Sequence, residues 1–155
     1  MGTSGERIRA ATAEDSPQLM RLWALLFDED DTAEHAPWRN AARQWFDRFV
    51  GEHSAAHFPV IDVGGNIVAA AIGTLELGVP NPQSPQGRAV RLANVITVKE
   101  HRGHGYGSLL VHDVIKWARS IDADRVDLSA TPDGQRIYEK AGFVLTRAPR
   151  MKLVL

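Results

Sequence analysis

Residues Arg102 to Gly107 read R-G-H-G-Y-G, an arginine followed by glycines at alternate positions, and Ser108 comes next. Alternating glycines cost backbone entropy and bury nothing, so the chain needs bare backbone at this point. A tight turn, a close helix contact or a ligand gripped by the main chain would each create that need. An apolar run ends at Val98 and an amphipathic segment begins near Ser108, so the glycines fall between a strand and a helix mouth. First-turn N–H groups have no partner inside the helix and carry the positive end of its dipole. Where no side chain stands in the way, an anion such as phosphate can approach them closely. Arg102 adds a guanidinium able to grip two oxygens, and Ser108 adds a hydroxyl, which makes a diphosphate the natural occupant. Two nucleotide-binding patterns fail on the letters. No Gly-Lys pair followed by Ser or Thr occurs, and G-x-G-x-x-G starting at Gly103 would need glycine where Ser108 stands.

The elements that would position this loop can be read from periodicity. "ERIRAA" (residues 6–11) reads as a short strand, and Thr12 with Asp15 forms a capping box at the start of a helix bearing Leu19, Leu22, Trp23 and Leu26 on one face. The acidic run Asp28 to Glu34 ends it. Pro37 opens a second amphipathic helix with Trp38, Ala42, Trp45 and Phe49 as its stripe. "HFPVIDV", the turn Gly64–Asn66 and "IVAAAIGTLEL" read as a hairpin. The proline-rich stretch Gly78–Gly87 is a loop, and "AVRLANVITV" is a long strand. "SLLVHDVIKWARS" is a helix with Leu110, Val114 and Trp117 facing inward. "RVDLSA" is a strand, and "DGQRIYEKAGF" is a short helix capped by Gly142. "FVLTRA" and "MKLVL" are expected to close the chain as a strand pair around Pro149. The order β-α-α-β-β-β-α-β-α-β-β predicts an α/β fold of the α+β mixed-sheet kind, with residues 1–155 forming one domain.

The R-x-x-G-x-G pattern from Arg102 to Gly107, with Val98 before it and an amphipathic helix after it, resembles the acyl-CoA-binding motif of the GCN5-related N-acetyltransferase (GNAT) superfamily. "RIYEKAGF", Arg136 to Phe143, resembles that family's second signature, and the order of elements matches along essentially the whole chain. The resemblance implies a central mixed, mostly antiparallel sheet flanked by helices, and acetyl-CoA as acyl donor. It implies that the pantetheine arm lies in a cleft between two splayed strands, along the backbone of Ile96, Thr97 and Val98. The pyrophosphate would rest on the amides of Arg102, Gly103, His104, Gly105, Tyr106, Gly107 and Ser108. Tyr138 matches the tyrosine that bonds the CoA sulfur and protonates the departing thiolate, a role in which a placed phenol acts as general acid. A neutral amine would attack the thioester directly. Many family members carry asparagine seven positions before the tyrosine; here Thr131 stands there, and its hydroxyl either replaces the amide or makes no contact with CoA.

The acceptor side is less legible. Glu76, late in its strand, is a candidate base, and Asn94, on the long strand near the cleft, a candidate positioning residue. The glutamate used as base in the histone-modifying branch has no counterpart, because that stretch reads "GRAVR". The acidic run Asp28–Glu34 is either a solvated turn or a lure for cationic amines. His101 and His104 flank the glycines without a further histidine at ligand spacing, so no metal is expected.

Composition narrows the classes. Hydrophobic residues make up 44% and charged residues 24%, a globular balance, and a net charge of -1 provides no field for nucleic acid. The chain has no cysteine, hence no disulfide, thiolate metal site or thiol nucleophile. No run approaches the length of a membrane span and the N-terminus lacks a secretory apolar core, so a cytoplasmic protein is expected. The reading predicts an acetyl-CoA-dependent N-acetyltransferase acting on a primary amine of a small molecule. Acetylation of a protein or peptide and non-catalytic acyl-CoA binding are the alternatives. The final stretch Phe143–Leu155 could offer an edge for homodimerisation.

Overall fold

The computed structural model of the chain describes residues 5–27 and 36–155. Strand β1 (Glu6–Ala10) leads into the expected capping box: the Thr12 amide donates to Asp15 Oδ2 at 2.7 Å. A single 3-10 turn at Ala13–Asp15 then feeds helix α1 (Ser16–Leu25), which buries Leu19, Met20, Leu22 and Trp23. Helix α2 (Pro37–Phe49) starts at the proline, whose fixed φ suits the first helical turn. The acidic run Asp28–Glu34 lies outside the described residues.

Five further strands follow: β2 (Ala56–His57), β3 (Pro59–Val63), β4 (Asn66–Leu77), β5 (Arg88–Thr97) and β6 (Arg125–Asp127). They form one mixed sheet in the order β1-β3-β4-β5-β6, with β2 alongside β4. Every pairing is antiparallel except that of β5 with β6. "HFPVIDV" is thus two strands rather than one, because Pro59 has no N–H to continue the ladder. The β3–β4 hairpin turns at Gly64 and Gly65, whose φ angles of 59° and 90° explain the need for glycine. Helix α3 (Tyr106–Ser120) crosses one face of the sheet, and α4 (Gln135–Lys140) follows β6.

The sheet divides two cores. On one face α1 and α2 pack Leu19, Met20, Trp23 and Phe46 against Phe58, Ala70, Ile72 and Ile96. On the other, α3 packs Leu110, Val111, Val114 and Trp117 against Ala69, Ala71, Val90 and Leu92. Gly73 permits this contact, since a Cβ there would lie 2.9 Å from a Val114 methyl. The proline loop is tied down by Asp124, which accepts from Ser84 Oγ at 2.8 Å and from the Gln86 and Arg88 amides at 3.0 and 3.1 Å. Burial pushes this carboxyl up, but the hydrogen bonds prevail and hold it at about 2.

The strand pair expected over Phe143–Leu155 is absent: those residues form no strand. The alternation that suggested strands requires a partner to cover one face, and none is present among the described residues. Edge strand β6 stops at Asp127, while Val144, Leu145, Leu153 and Val154 stay 73–83% exposed.

Candidate active site

The glycine loop begins where β5 ends. A second 3-10 turn, Lys99–His101, carries the chain to Arg102, whose Nε donates to the Thr97 carbonyl at 3.1 Å. Gly103 and Gly105 have φ of 85° and 76°, a region costly for any residue bearing a Cβ, and a Cβ built at either would meet open space. Gly105 caps α3 from the left-handed region, so the helix starts at Tyr106, two residues before the segment that periodicity marked. The first bond closing the helix mouth runs from the Leu109 amide to the Gly105 carbonyl. The amides from Gly103 to Ser108 therefore have no acceptor among the described residues. Orphan donors, a cationic arginine and a glycine-lined approach could hold an anion such as a diphosphate.

Tyr106 contributes only its backbone to this cradle. Its ring is buried under β1, and its hydroxyl donates to Glu6 Oε2 at 2.8 Å, which raises the phenol above its ordinary range. His104 turns away as well: its Nδ1 lies 2.9 Å from the His101 carbonyl, and its ring stacks on Tyr106. Val98 spends its amide on the Val68 carbonyl and its carbonyl on the His101 amide, so of the expected backbone edge Ile96 and Thr97 face the cleft.

Strand β5 is bent just before that edge. Its register against β4 steps from Ile96↔Ala70 to Ala93↔Ile72, so three residues of β5 span two of β4. The bulge falls at Asn94–Val95, and Asn94 has φ of 50°, a conformation asparagine tolerates better than most residues. Strand β6 pairs with β5 only from Ala89 to Arg91, so beyond Arg91 the two strands share no ladder. A cleft of about 560 Å³ opens past the end of that pairing, with Ile96, Thr97, Arg102, Gly105, Gly107 and Ser108 on one wall and Thr131, Gly134, Ile137 and Tyr138, from the chain after β6, on the other.

A second cavity, of about 370 Å³, lies on the other side of the bulge, lined by Leu26 and Phe27 past the end of α1, by Ala93 and Asn94, and by Ser129. Val95, Thr131 and Tyr138 line both spaces. Tyr138 is half-buried, with its ring edge-on to Phe143 at 6.0 Å and against Gly134, where a Cβ would lie 3.2 Å from the ring. Burial pushes its phenol up, so the hydroxyl keeps its proton at neutral pH and can donate it. Thr131 Oγ1 accepts from the Gly134 amide at 3.3 Å and so caps the turn into α4.

Glu76 is not brought to this cluster. Its register places it opposite Ala89, five residues along β5 from Asn94 or roughly 16 Å at strand rise, and its side chain is exposed. The lining residues absent from the sequence reading include Phe27, Ser129, Gly134 and Ile137. Gly134, the residue that caps α4, precedes Ile137 by three positions and Tyr138 by four, a spacing present in the letters. Among the described residues no group of three or more His, Asp or Glu side chains could hold a metal ion, and no helix is long and apolar enough to cross a membrane.

A model of the acetyltransferase (GNAT) family matches residues 17–143. Among solved structures, the chain superimposes on a predicted acetyltransferase from Clostridium acetobutylicum solved with acetyl-CoA, with a TM-score of 0.83 and 19% identity over 96% of each chain. A GCN5-related N-acetyltransferase from Ralstonia eutropha gives a TM-score of 0.81 with 21% identity over 96% of this chain and 99% of that one. Glucosamine-6-phosphate N-acetyltransferase from Arabidopsis thaliana gives 0.77 with 18% identity over 96% and 97%. At these identities the likeness establishes the fold. No curated protein matches the chain.

Proposed function

The chain belongs to the acetyltransferase (GNAT) family, and from that premise we propose that it moves the acetyl group of acetyl-CoA to a primary amine of a small molecule. One observation carries this reading: Tyr138 stands in the wall common to the glycine-loop cleft and the cavity beside Asn94. A group placed there reaches both a donor sulfur and an acceptor amine.

Acetyl-CoA supplies an acyl group activated as a thioester. In this reading the amides of Gly103, His104, Gly105, Tyr106, Gly107 and Ser108, with the Arg102 guanidinium, bind the diphosphate, whereas the Arg102 amide expected to join them is taken by the Lys99 carbonyl at 3.4 Å. Ile96 and Thr97 guide the arm toward the bulge. Tyr138 gives its proton to the sulfur as the amine attacks the thioester carbon, which spares the formation of free thiolate. The chain has no cysteine to take up the acetyl group as an enzyme thioester, and in this reading the amine attacks directly. Asn94, turned out of the strand by its bulge, positions the amine. No carboxylate lines the cavity among the described residues, so the amine enters neutral and its proton leaves through solvent.

A cavity of about 370 Å³ favours a compact acceptor over a folded protein surface. A homodimer joined along residues 143–155 accords with the exposed apolar side chains there, and sedimentation of the purified chain tests it. The activity is tested by thiol release from acetyl-CoA over a panel of primary amines, with peptides as a second panel. Release with small amines and not with peptides is expected; release with neither, despite acetyl-CoA binding, would leave a binding module.

A further inference from the structure

Two guanidinium groups meet beside the acceptor cavity. Arg91 Nη2 donates to Ser129 Oγ at 3.1 Å, and Arg150 Nη1 donates to the same oxygen at 2.6 Å. Neither arginine has a carboxylate within 4.0 Å among the described residues. Asp127 and Glu139 line the same cavity as the two arginines but are engaged elsewhere: Asp127 accepts from Arg125 Nε at 3.0 Å and Glu139 from Gln135 Nε2 at 2.7 Å. Glu76, diagonal to Arg91 across the β4–β5 ladder, forms no ion pair with it. Two converging guanidinium groups with no ion pair of their own among the described residues repel one another, and an anion between them relieves that repulsion.

The position of the pair ties it to the acceptor. Val90 and Leu92 face α3, so Arg91 between them faces the side of the sheet that carries α1 and α2. Asp127 is in register with Arg91, which puts Asp127 and then Ser129 on that same side. The cavity of about 350 Å³ lined by Arg91 and Arg150 shares Leu128, Ser129 and Tyr138 with the cavity beside Asn94.

We propose that the acceptor carries an acidic group, a carboxylate or a phosphate, which Arg91 and Arg150 bind beside Ser129. The proposal rests on the acetyl-transfer reading given above. Arg91 precedes Asn94 by three residues, about 10 Å along the strand, so an amine separated from its acid by several bonds spans the two points. The acid fixes the orientation of the acceptor and does not enter the chemistry.

The test uses matched acceptors: an amino sugar 6-phosphate against its parent amino sugar, and a dipeptide against its C-terminal amide, with thiol release as readout and acetyl-CoA binding followed separately by calorimetry. At least one anionic member should exceed its uncharged partner tenfold or more in kcat/KM, an advantage that 0.5 M NaCl reduces. The phosphate and carboxylate arms tell which acid is preferred. In Arg91→Gln and in Arg150→Gln, the latter on the exposed tail and harmless to the sheet, the advantage should shrink at least fivefold through KM, while kcat for the anionic member stays within twofold. Acetyl-CoA binding with no preference for either anionic member overturns the proposal and leaves the acetyl-transfer reading standing. A preference that survives both substitutions also overturns it, and absence of acetyl-CoA binding overturns both.

Discussion

Replacing Tyr138 with phenylalanine removes one oxygen and leaves the ring. The edge-on contact with Phe143 at 6.0 Å and the packing on Gly134 involve ring atoms and survive the change. The hydroxyl has no protein partner among the described residues, so its loss should cost less than about 1 kcal/mol of stability. For catalysis, a positioned general acid contributes roughly 10²–10⁴-fold, or about 3–5 kcal/mol of barrier. Because burial holds the phenol above its ordinary range, essentially every enzyme molecule at pH 7 is competent to donate, and the substitution removes the full effect. Y138F is therefore expected to lower kcat by about 100-fold or more, to leave KM for acetyl-CoA within about threefold, and to melt within about 3 °C of the native chain. The pH profile adds a second readout. With no carboxylate lining the acceptor cavity among the described residues, the acidic limb of kcat/KM should follow the pKa of the acceptor's own amine and move when the acceptor is changed. Thiol release under saturating acceptor measures both. A kcat within twofold of the native value would refute the general-acid role.

Two further predictions concern the loop regions. Gly107→Val places its Cβ in the cleft wall at ordinary contact with Ile137, 3.5 Å away, and at a position without positive φ, so it should weaken coenzyme A binding at least tenfold by calorimetry while leaving the melting temperature within about 2 °C. A drop in melting temperature matching the loss of binding would show a folding defect instead. Asp124 is depressed from 3.8 to about 2, so the stability it confers is complete above pH 3.8 and lost as pH falls toward 2. Thermal melts of the native chain and Asp124→Asn should therefore converge between pH 5 and 2; a gap that does not change with pH would contradict the anchoring role.

Much of this fold was legible because local rules and tertiary packing agree. Thr12 and Asp15 form their capping box, Pro37 starts α2, and Gly64 and Gly65 turn the hairpin. The bare-backbone helix mouth was legible too, since Gly103 and Gly105 take the positive φ that alternating glycines before an amphipathic helix suggest. Features set by register were not. Glu76 looked close to the cleft because it ends a strand, but which end of the ladder it occupies depends on how the proline loop closes between β4 and β5. The bulge at Asn94 leaves no mark in "VRLANVIT" beyond a residue able to take positive φ. Arg91 and Arg150 are far apart in the chain and meet only through Ser129. The terminal alternation read as strands because pattern reports which face would be buried, and no described residue covers that face.

The measurement that bears most directly on the account is a calorimetric titration of the purified chain with acetyl-CoA beside S-acetylpantetheine, which shares the arm and thioester but has no diphosphate. Saturable binding of acetyl-CoA at micromolar concentration, at least a hundredfold tighter than that of the shorter thioester, is the predicted result. Equal affinity for the two, or no heat from acetyl-CoA at millimolar concentration, would contradict the claim that the amides at the mouth of α3 hold the donor.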